Sequence, residues 1–378
     1  MRKGMNLKSV VASALLTAIL LSVAILSGCS AKGAPTKRSA NRLKPEIPAN
    51  GILLQGAGAT FPSVLYEKWF AMYQQSHPDH VITYDAVGSG EGIRRFIAQN
   101  IDPDDKVDFG ASDAAMRDDE MAKVPAGTIL LPLTAGSVAL AYNLPDVPGD
   151  LRLSRDAYSA IFMGEIKNWN DPRIAKTNPG VNLPKITITT VVRQDGSGTT
   201  FAFTKHLDAI SDAWRSQYGP ATLINWPGNS MRASGNEGVA GRIKQSVGSI
   251  GYVSYEFARK TGLKVALLEN RAGNFIAPSP ETSASAIAAA GAHLPDNLRV
   301  YVPDPSGDDA YPIVTLTWIL LYKNYLDPQK ALALQELFRW CLTDGQKYAS
   351  DLGYTPLPPN VATRSLAALN SIRSESRQ

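Results

Sequence analysis

Residues 193–200, with the sequence Arg-Gln-Asp-Gly-Ser-Gly-Thr-Thr, have the residue types and spacing of an anion-binding site. A β-branched run precedes them and an apolar stripe of helical spacing follows, so the pattern predicts a strand, a glycine turn and a helix. The first backbone N–H groups of such a helix have no acceptor within it and lie at the positive end of its dipole, which favours an anion. Ser197 and Thr199 add hydroxyl donors, and Arg193 adds a planar cation that matches a tetrahedral oxyanion.

Two further glycine turns of the same design lie earlier in the chain. Residues 56–61 (Gly-Ala-Gly-Ala-Thr-Phe) precede Pro62, which is a favoured first residue of a helix, and residues 88–92 (Gly-Ser-Gly-Glu-Gly) precede a second apolar helical stripe. A further strand ends in Ser112 and Asp113, where a parallel sheet places its ligands. The strands predicted before these features cover residues 52–55, 81–87 and 107–113.

Standard nucleotide-binding and catalytic motifs do not fit these turns. Phe61 and Phe201 stand where a dinucleotide fingerprint needs its third glycine, and the chain has no Gly-Lys-Ser/Thr sequence for a P-loop. There is no Gly-x-Ser-x-Gly elbow, and no histidine is adjacent in sequence to Ser89, Ser112 or Ser197, although a partner in space stays open. Hydroxyls and backbone amides without a base favour binding over cleavage.

The first 28 residues have the order of a secretory signal, with three basic residues before an apolar run. The run ends in Leu-Ser-Gly-Cys at Cys29, which resembles the bacterial lipobox and implies that Cys29 is lipidated. The alternative is a single membrane anchor, since the run is barely long enough to span a bilayer. Residues 29–50, rich in basic, proline and small residues, indicate a flexible tether.

The remaining chain is weakly acidic. Of the 38 Lys and Arg and 34 Asp and Glu residues, eight basic and one acidic residue precede Gly51, which leaves a net charge of −3 for the rest. This balance does not predict a nucleic-acid surface. Beyond Cys29 only Cys341 is present, so we predict neither a disulfide nor a thiolate metal site. His77 and His80 belong to a His-Pro-Asp-His sequence typical of a polar turn, so we predict no metal site and no cofactor.

A chain of 378 residues is long enough for two domains. We predict an apolar strand pair at residues 130–141, interrupted by Pro132 and Gly136, and place there the crossing into a second domain. That domain includes a helical stretch near residues 158–169 and the central glycine turn. The predicted domains are residues 51–133 plus 308–378 for domain I, completed by a strand at 311–321 and a helix at 328–343, and residues 134–307 for domain II.

Several motifs together resemble the phosphate-binding proteins of bacterial phosphate ABC transporters. The main ones are Gly-Ala-Gly-Ala-Thr-Phe-Pro at residues 56–62, Asp-Phe-Gly-Ala-Ser-Asp at 108–113 and Arg-Gln-Asp-Gly-Ser-Gly-Thr at 193–199. Shorter similarities follow the same order, at residues 164–169, 178–180, 235–238 and 250–253. The resemblance covers nearly all of the chain from about residue 55 to about residue 357.

This resemblance implies an α/β, two-domain periplasmic-binding-protein fold of type II, in which each domain is a mixed sheet flanked by helices and two crossings form a hinge. It implies a receptor that delivers inorganic phosphate to transmembrane permease subunits. With the signal sequence and the lipobox, we expect this receptor to be extracytoplasmic, in the periplasm or at the cell surface, and lipid-anchored through Cys29, and we expect it to be a monomer. Asp195 would support the arginine. The implied phosphate contacts are Thr60, Phe61, Ser89, Asp113, Arg193, Ser197, Gly198 and Thr199.

Two further expectations accompany this interpretation. Glu91 lies two residues from Ser89, and we expect its carboxylate to cap the helix that begins there rather than to face the ligand. The alternative function is an extracytoplasmic phosphate-ester hydrolase that uses the same oxyanion cradle with a serine or threonine nucleophile.

Overall fold

The computed structural model describes residues 45–98, 105–290 and 295–374. The chain has two units, Met1–Pro45 and Glu46–Gln378, and the fold described below is that of the second unit. The predicted signal sequence, Cys29 and the tether up to residue 44 lie outside the described residues. None of the described helices is both long and apolar enough to cross a membrane.

Strands and helices alternate along most of the chain. The strands are β1 Ile52–Gly58, β2 His80–Ala86, β3 Phe109–Ser112, β4 Thr128–Tyr142, β5 Arg152–Leu153, β6 Thr189–Arg193, β7 Ser230–Ala233, β8 Ser249–Ser254, β9 Lys264–Val265, β10 Leu267–Glu269, β11 Phe275–Ile276, β12 Val302–Pro303, β13 Ile313–Tyr322, β14 Asn324–Tyr325 and β15 Arg373–Ser374. The helices are α1 Ser63–Ser76, α2 Ser89–Ile97, α3 Asp118–Met121, α4 Arg155–Phe162, α5 Pro172–Ala175, α6 Gly198–Ile210, α7 Asp212–Gln217, α8 Gly235–Gln245, α9 Tyr255–Thr261, α10 Pro280–Ala290, α11 Pro328–Leu342 and α12 Pro359–Leu369.

One mixed sheet runs through the unit in the order β2-β1-β3-β13-β4-β8-β6-β7, with β12 paired to β13 and β9 to β4. Its first half (β2, β1, β3 and β13) and its second half (β8, β6 and β7) share β4. Residues of β4 up to Ser137 pair with β13, and residues from Val138 onward pair with β8. The predicted strand pair at residues 130–141 is therefore wrong: this segment is one 15-residue strand that passes from one half of the sheet to the other.

Pro132 does not end β4 because the pairing shifts around it. Thr134 lies opposite Thr317 and Pro132 lies opposite Trp318, so Leu133 is the extra residue of a bulge. A bulge lets a strand accommodate a proline, which has no N–H to donate to the ladder. Gly136 continues the regular pairing, opposite Thr315.

In both halves, parallel strands lead into helices. Strand β1 pairs in parallel with β2 and β3, and β6 pairs in parallel with β7 and β8. Strands β1, β2, β6 and β7 are followed by α1, α2, α6 and α8, each beginning within about five residues of the strand end. This arrangement places several helix N-termini at the carboxyl edge of the sheet, where α/β proteins bind ligands.

The helix predicted near residues 158–169 is shorter than the pattern indicated. Helix α4 ends at Phe162 because Gly164 adopts a left-handed conformation with φ of 73°, in which the chain leaves the helix. The β-branched run before the central turn forms a strand only from Thr189 onward. The predicted mixed α/β architecture is confirmed, whereas the division into domains 51–133 plus 308–378 and 134–307 stays a prediction.

Candidate functional site

Four turns between strands and helices meet at one place. The first residues of α2 contact the turn before α6, where the Gly90 N–H donates to the Gly196 carbonyl at 2.9 Å. The start of α8 reaches the turns before α6 and α1, since the Gly235 N–H donates to Asp195 Oδ1 at 3.1 Å and Asn236 Nδ2 donates to Thr60 Oγ1 at 2.9 Å. The three glycine turns predicted from the sequence therefore converge, and a fourth turn joins them.

Arg193 ends β6 with its guanidinium buried beside Asp195. Nε donates to Asp195 Oδ1 at 2.8 Å and Nη2 donates to Asp195 Oδ2, which orients the planar cation. The Arg193 backbone N–H donates to the Tyr252 hydroxyl at 3.0 Å, which fixes the strand end as well. No described residue accepts a hydrogen bond from Nη1, so this face of the cation stays available to a ligand anion.

Two buried serine hydroxyls are oriented by backbone amides. Ser197 is the N-cap of α6 and accepts from the Thr200 N–H at 3.0 Å, while Ser89 Oγ accepts from the Asp113 N–H at 3.2 Å. An oxygen that accepts from the protein retains its own proton to donate. Ser197 is thus prepared as a donor to a ligand, whereas the Ser89 hydroxyl also hydrogen-bonds to the Asp113 carboxylate, which lowers the pKa of that carboxyl group.

Backbone N–H groups complete the donor set. Ser89 is the first residue of α2, Gly198 and Thr199 are the first two of α6, and Phe61 lies just before α1. The hydrogen bonds of the described residues provide no acceptor for these four N–H groups. Helix N-termini that converge in this way form a strong site for an oxyanion.

Asp113 is the one carboxylate among the predicted contacts. It is 1% exposed, and its Oδ1 accepts from the Thr317 hydroxyl at 2.8 Å. Burial raises the pKa of Asp113 to about 7, although the Thr317 hydrogen bond and the charge of Arg193 oppose this shift. Asp113 is therefore a buried acceptor whose protonation changes near neutral pH.

Gly198 has to be a glycine because the two turns approach closely here. A methyl group on its Cα would lie 2.6 Å from Asp113 Cβ and 2.7 Å from Ser89 Oγ. Such distances are far below van der Waals contact, so even alanine would push the turn of α6 away from Asp113. Gly198 thus brings the donors of the second half of the sheet against the acceptor of the first half.

Glu91 does not cap α2, contrary to expectation. No side chain caps this helix, and Glu91 instead pairs with Arg94 and Arg95, with its Oε1 2.8 Å from Arg95 Nε. These hydrogen bonds, that of Arg94 first, lower the pKa of Glu91 to about 2. The two arginines follow Glu91 at i+3 and i+4, the spacing at which helical side chains meet, and they neutralise its charge.

The structure brings together all eight predicted contact residues and Asp195. Sequence reasoning missed two buried polar residues, Asn236 and Tyr252, which link the predicted ones. The Tyr252 hydroxyl lies 2.7 Å from Thr200 Oγ1, and burial raises its pKa to about 12. Both residues belong to short stretches that carried the family resemblance, and this was the only signal that could have found them.

The hydrolase alternative gains no support from the described residues. No hydrogen bond among them joins a histidine to Ser89, Ser112 or Ser197. His206 is instead paired with the Tyr158 hydroxyl at 2.8 Å, and burial lowers the pKa of its imidazole to about 3. The described residues also contain no cluster of three or more His, Cys, Asp or Glu side chains that could hold a metal ion.

Comparisons with known proteins agree with this geometry. A family model described as a PBP superfamily domain matches residues 30–344. The phosphate-binding protein PstS of Pasteurella multocida is 38% identical over 82% of this chain and 87% of that protein. The protein of the same name from Methanocaldococcus jannaschii is 35% identical over 98% of both.

Solved structures share the fold at lower identity. The periplasmic phosphate-binding protein PfluDING aligns with a TM-score of 0.69 and 21% identity, over 84% of this chain and 93% of that one. A phosphate-binding protein from Stenotrophomonas maltophilia aligns with a TM-score of 0.65 and 19% identity, over 84% and 94%. These similarities confirm the predicted type II periplasmic-binding-protein fold.

Proposed function

Because the chain belongs to the PstS family of phosphate-binding proteins, we propose that it captures inorganic phosphate among the buried donors at the convergent turns. It then passes the anion to the permease subunits of a phosphate ABC transporter. The chain is a binding protein and not an enzyme, in keeping with the names of its relatives. No bond of the ligand has to be broken for this role.

The proposal rests on the number of hydrogen-bond donors at the site relative to the number of acceptors. The donors face the site from three turns, whereas Asp113 is the one acceptor among the proposed contacts. A tetrahedral anion that retains a proton matches this arrangement, because its unprotonated oxygens accept and its O–H donates to Asp113. In this proposal the contacts are Thr60, Phe61, Ser89, Asp113, Arg193, Ser197, Gly198 and Thr199, with Asp195 holding the arginine.

Titration calorimetry with inorganic phosphate tests the proposal directly. We expect saturable binding of one phosphate per chain, and weaker or no binding of sulfate at neutral pH. Incubation with a chromogenic phosphomonoester separates this function from the hydrolase alternative. Release of the chromophore in amounts that exceed the protein would reject a pure binding role, and absence of phosphate binding would reject the proposal itself.

We further propose that the protein is a monomeric, extracytoplasmic lipoprotein anchored through Cys29. The signal at residues 1–28, the lipobox before Cys29 and the tether to residue 50 support this location. The expected effect of Cys29→Ala is loss of signal processing and of the lipid, visible as a change in mass and in metabolic labelling with a fatty acid. Unchanged labelling of the substituted protein would contradict the anchor.

A further inference from the structure

Asn236 occupies a central position that no proposed phosphate contact explains. It is completely buried at the second residue of α8, and it touches both halves of the site. Its Nδ2 donates to Thr60 Oγ1 at 2.9 Å and to Thr199 Oγ1 at 3.2 Å. Its backbone N–H also donates to Thr60 Oγ1, at 3.2 Å.

The orientation of the Asn236 amide follows from a third partner. The backbone N–H of Ser254, the last residue of β8, donates to Asn236 Oδ1 at 2.9 Å. An amide nitrogen at this position would face a donor with another donor, so the oxygen has to occupy it. The two hydrogens of Nδ2 must then point at the two threonine hydroxyls.

This orientation determines what the two threonines do. Thr60 Oγ1 accepts two N–H groups, which occupy both of its lone pairs, so its own proton can only be donated. Thr199 Oγ1 accepts one N–H from the same amide. None of the hydrogen bonds of the described residues gives either hydroxyl proton an acceptor.

We propose that Asn236 is a positioning residue that makes Thr60 and Thr199 obligatory hydrogen-bond donors toward the ligand, and so restricts the proton of the bound anion to Asp113. The inference rests on the proposed function for the identity of the ligand. The direction of the Thr60 and Thr199 hydroxyls does not depend on the identity of the ligand. Asn236 thereby contributes to selectivity without touching the anion.

The test replaces the amide by an isosteric acceptor. In Asn236→Asp the introduced carboxylate attracts the hydroxyl protons of Thr60 and Thr199, so we expect the affinity for inorganic phosphate to fall by about a hundredfold or more. Asn229→Asp is the matched control, because Asn229 is exposed and its Nδ2 also donates to a threonine hydroxyl, that of Thr189, at 2.9 Å. We expect the control to bind phosphate like the unmodified protein.

A double substitution separates positioning from a general structural role. Thr60→Val should lower phosphate affinity by about tenfold or more in the unmodified protein, but by less than about threefold in Asn236→Asp, where the hydroxyl already points away. If Asn236 only maintained the fold, the two losses would multiply. Multiplicative losses would therefore overturn the proposal.

Neutron diffraction of the deuterated, unmodified protein reads the same protons directly. It remains informative if Asn236→Asp does not fold, or if calorimetry shows that the unmodified protein binds no phosphate and the proposed function fails. We expect both Nδ2 deuterons of Asn236 on the lines to Thr60 and Thr199. A Thr60 deuteron that points at Asn236 would overturn the inference.

Discussion

At the scale of single residues, we propose that Asp113 determines which anion the site prefers. A buried carboxylate repels a ligand that brings only acceptor oxygens, and it favours one that brings a proton. Phosphate near neutral pH retains at least one proton, whereas sulfate has none. A single proton between Asp113 and the ligand is enough to form the hydrogen bond, whether the carboxyl group or the anion supplies it.

Selectivity against sulfate should therefore depend on pH. The pKa of Asp113 in the ligand-free protein is raised to about 7, so Asp113 is increasingly protonated below that pH and can donate to sulfate. We expect sulfate to compete with phosphate more strongly at about pH 5.5 than at about pH 8.5. In Asp113→Asn the amide donates at both pH values, so the part of this dependence that comes from the carboxyl group should disappear and only the part due to the ionisation of phosphate itself should remain. Competition calorimetry at the two pH values measures this dependence, with Asp79→Asn, at an exposed position, as the control. An unchanged pH profile in Asp113→Asn would contradict the mechanism.

A second buried carboxyl group, Glu256, connects stability with pH. It lies at the start of α9 and is 3% exposed. Burial raises its pKa from 4.5 to about 8. Between these values the folded protein retains a proton that the unfolded chain has released, so the contribution of Glu256 to stability falls as pH rises through this window and is constant above it.

Glu256→Gln should remove that part of the pH dependence. The neutral amide has no proton to lose, so we expect the variant to gain stability relative to the unmodified protein as pH rises from about 5 to about 8, on the order of a few kcal/mol. Denaturant unfolding at a series of pH values measures the difference. Asp113 shifts in the same direction and is present in both proteins, so the difference isolates Glu256. For Glu237→Gln, the control at an exposed position, we expect a profile of stability against pH that runs parallel to that of the unmodified protein. A parallel profile for Glu256→Gln would contradict the role of Glu256.

At the scale of elements, the start of α6 determines how closely the two halves of the site approach. In Gly198→Ala the methyl group would lie 2.6 Å from Asp113 Cβ, so we expect phosphate affinity to fall by about tenfold or more. Stability without ligand should also fall, by about 1–3 kcal/mol, because the close contacts of the methyl group have to be relieved. Calorimetry and thermal unfolding test both statements. Gly241→Ala in α8 is the control, since a methyl group there meets no atom within 4 Å, and equal affinities would contradict a close approach.

The turns that carry the site were predictable because their signals are local. A β-branched run, two glycines and an apolar helical stripe predicted β6, the turn and α6 without reference to the rest of the chain. The spacing of the three glycine turns also located Thr60, Ser89 and Ser197. What the pattern could not provide was the pairing between turns, because hydrogen bonds such as that from Asn236 to Thr60 join residues far apart in sequence.

The errors in the predicted elements have the same origin. Pro132 indicated a break in β4, but the register shift opposite Trp318 removes the need for its N–H, and this shift depends on β13 almost two hundred residues later. Glu91 was expected to cap α2, but Arg94 and Arg95 compete for its carboxylate. In both cases the observed structure depends on a contact partner that the local sequence pattern does not take into account.

At the scale of the whole molecule, the proposed contacts are divided between the two halves of the sheet. Thr60, Ser89 and Asp113 belong to turns of the first half, and Arg193 and Ser197 to the central turn of the second half. β4 is the strand that both halves share, and the direct contact between Gly90 and Gly196 joins their turns. An anion that both halves bind stabilises the arrangement in which these turns touch, relative to one in which they are apart.

Phosphate should therefore make the protein more compact. We expect small-angle X-ray scattering to give a smaller radius of gyration with saturating phosphate than without it, because only the compact state satisfies the contacts from both halves. Gly198→Ala should show a smaller decrease at saturation, since its methyl group opposes the same approach, while Gly241→Ala should behave like the unmodified protein. Identical radii with and without phosphate, in a protein that calorimetry shows to be saturated, would mean that the site is already rigid. The anion would then have to leave without any opening of the two halves, and a hand-off to a permease through two conformations would be rejected.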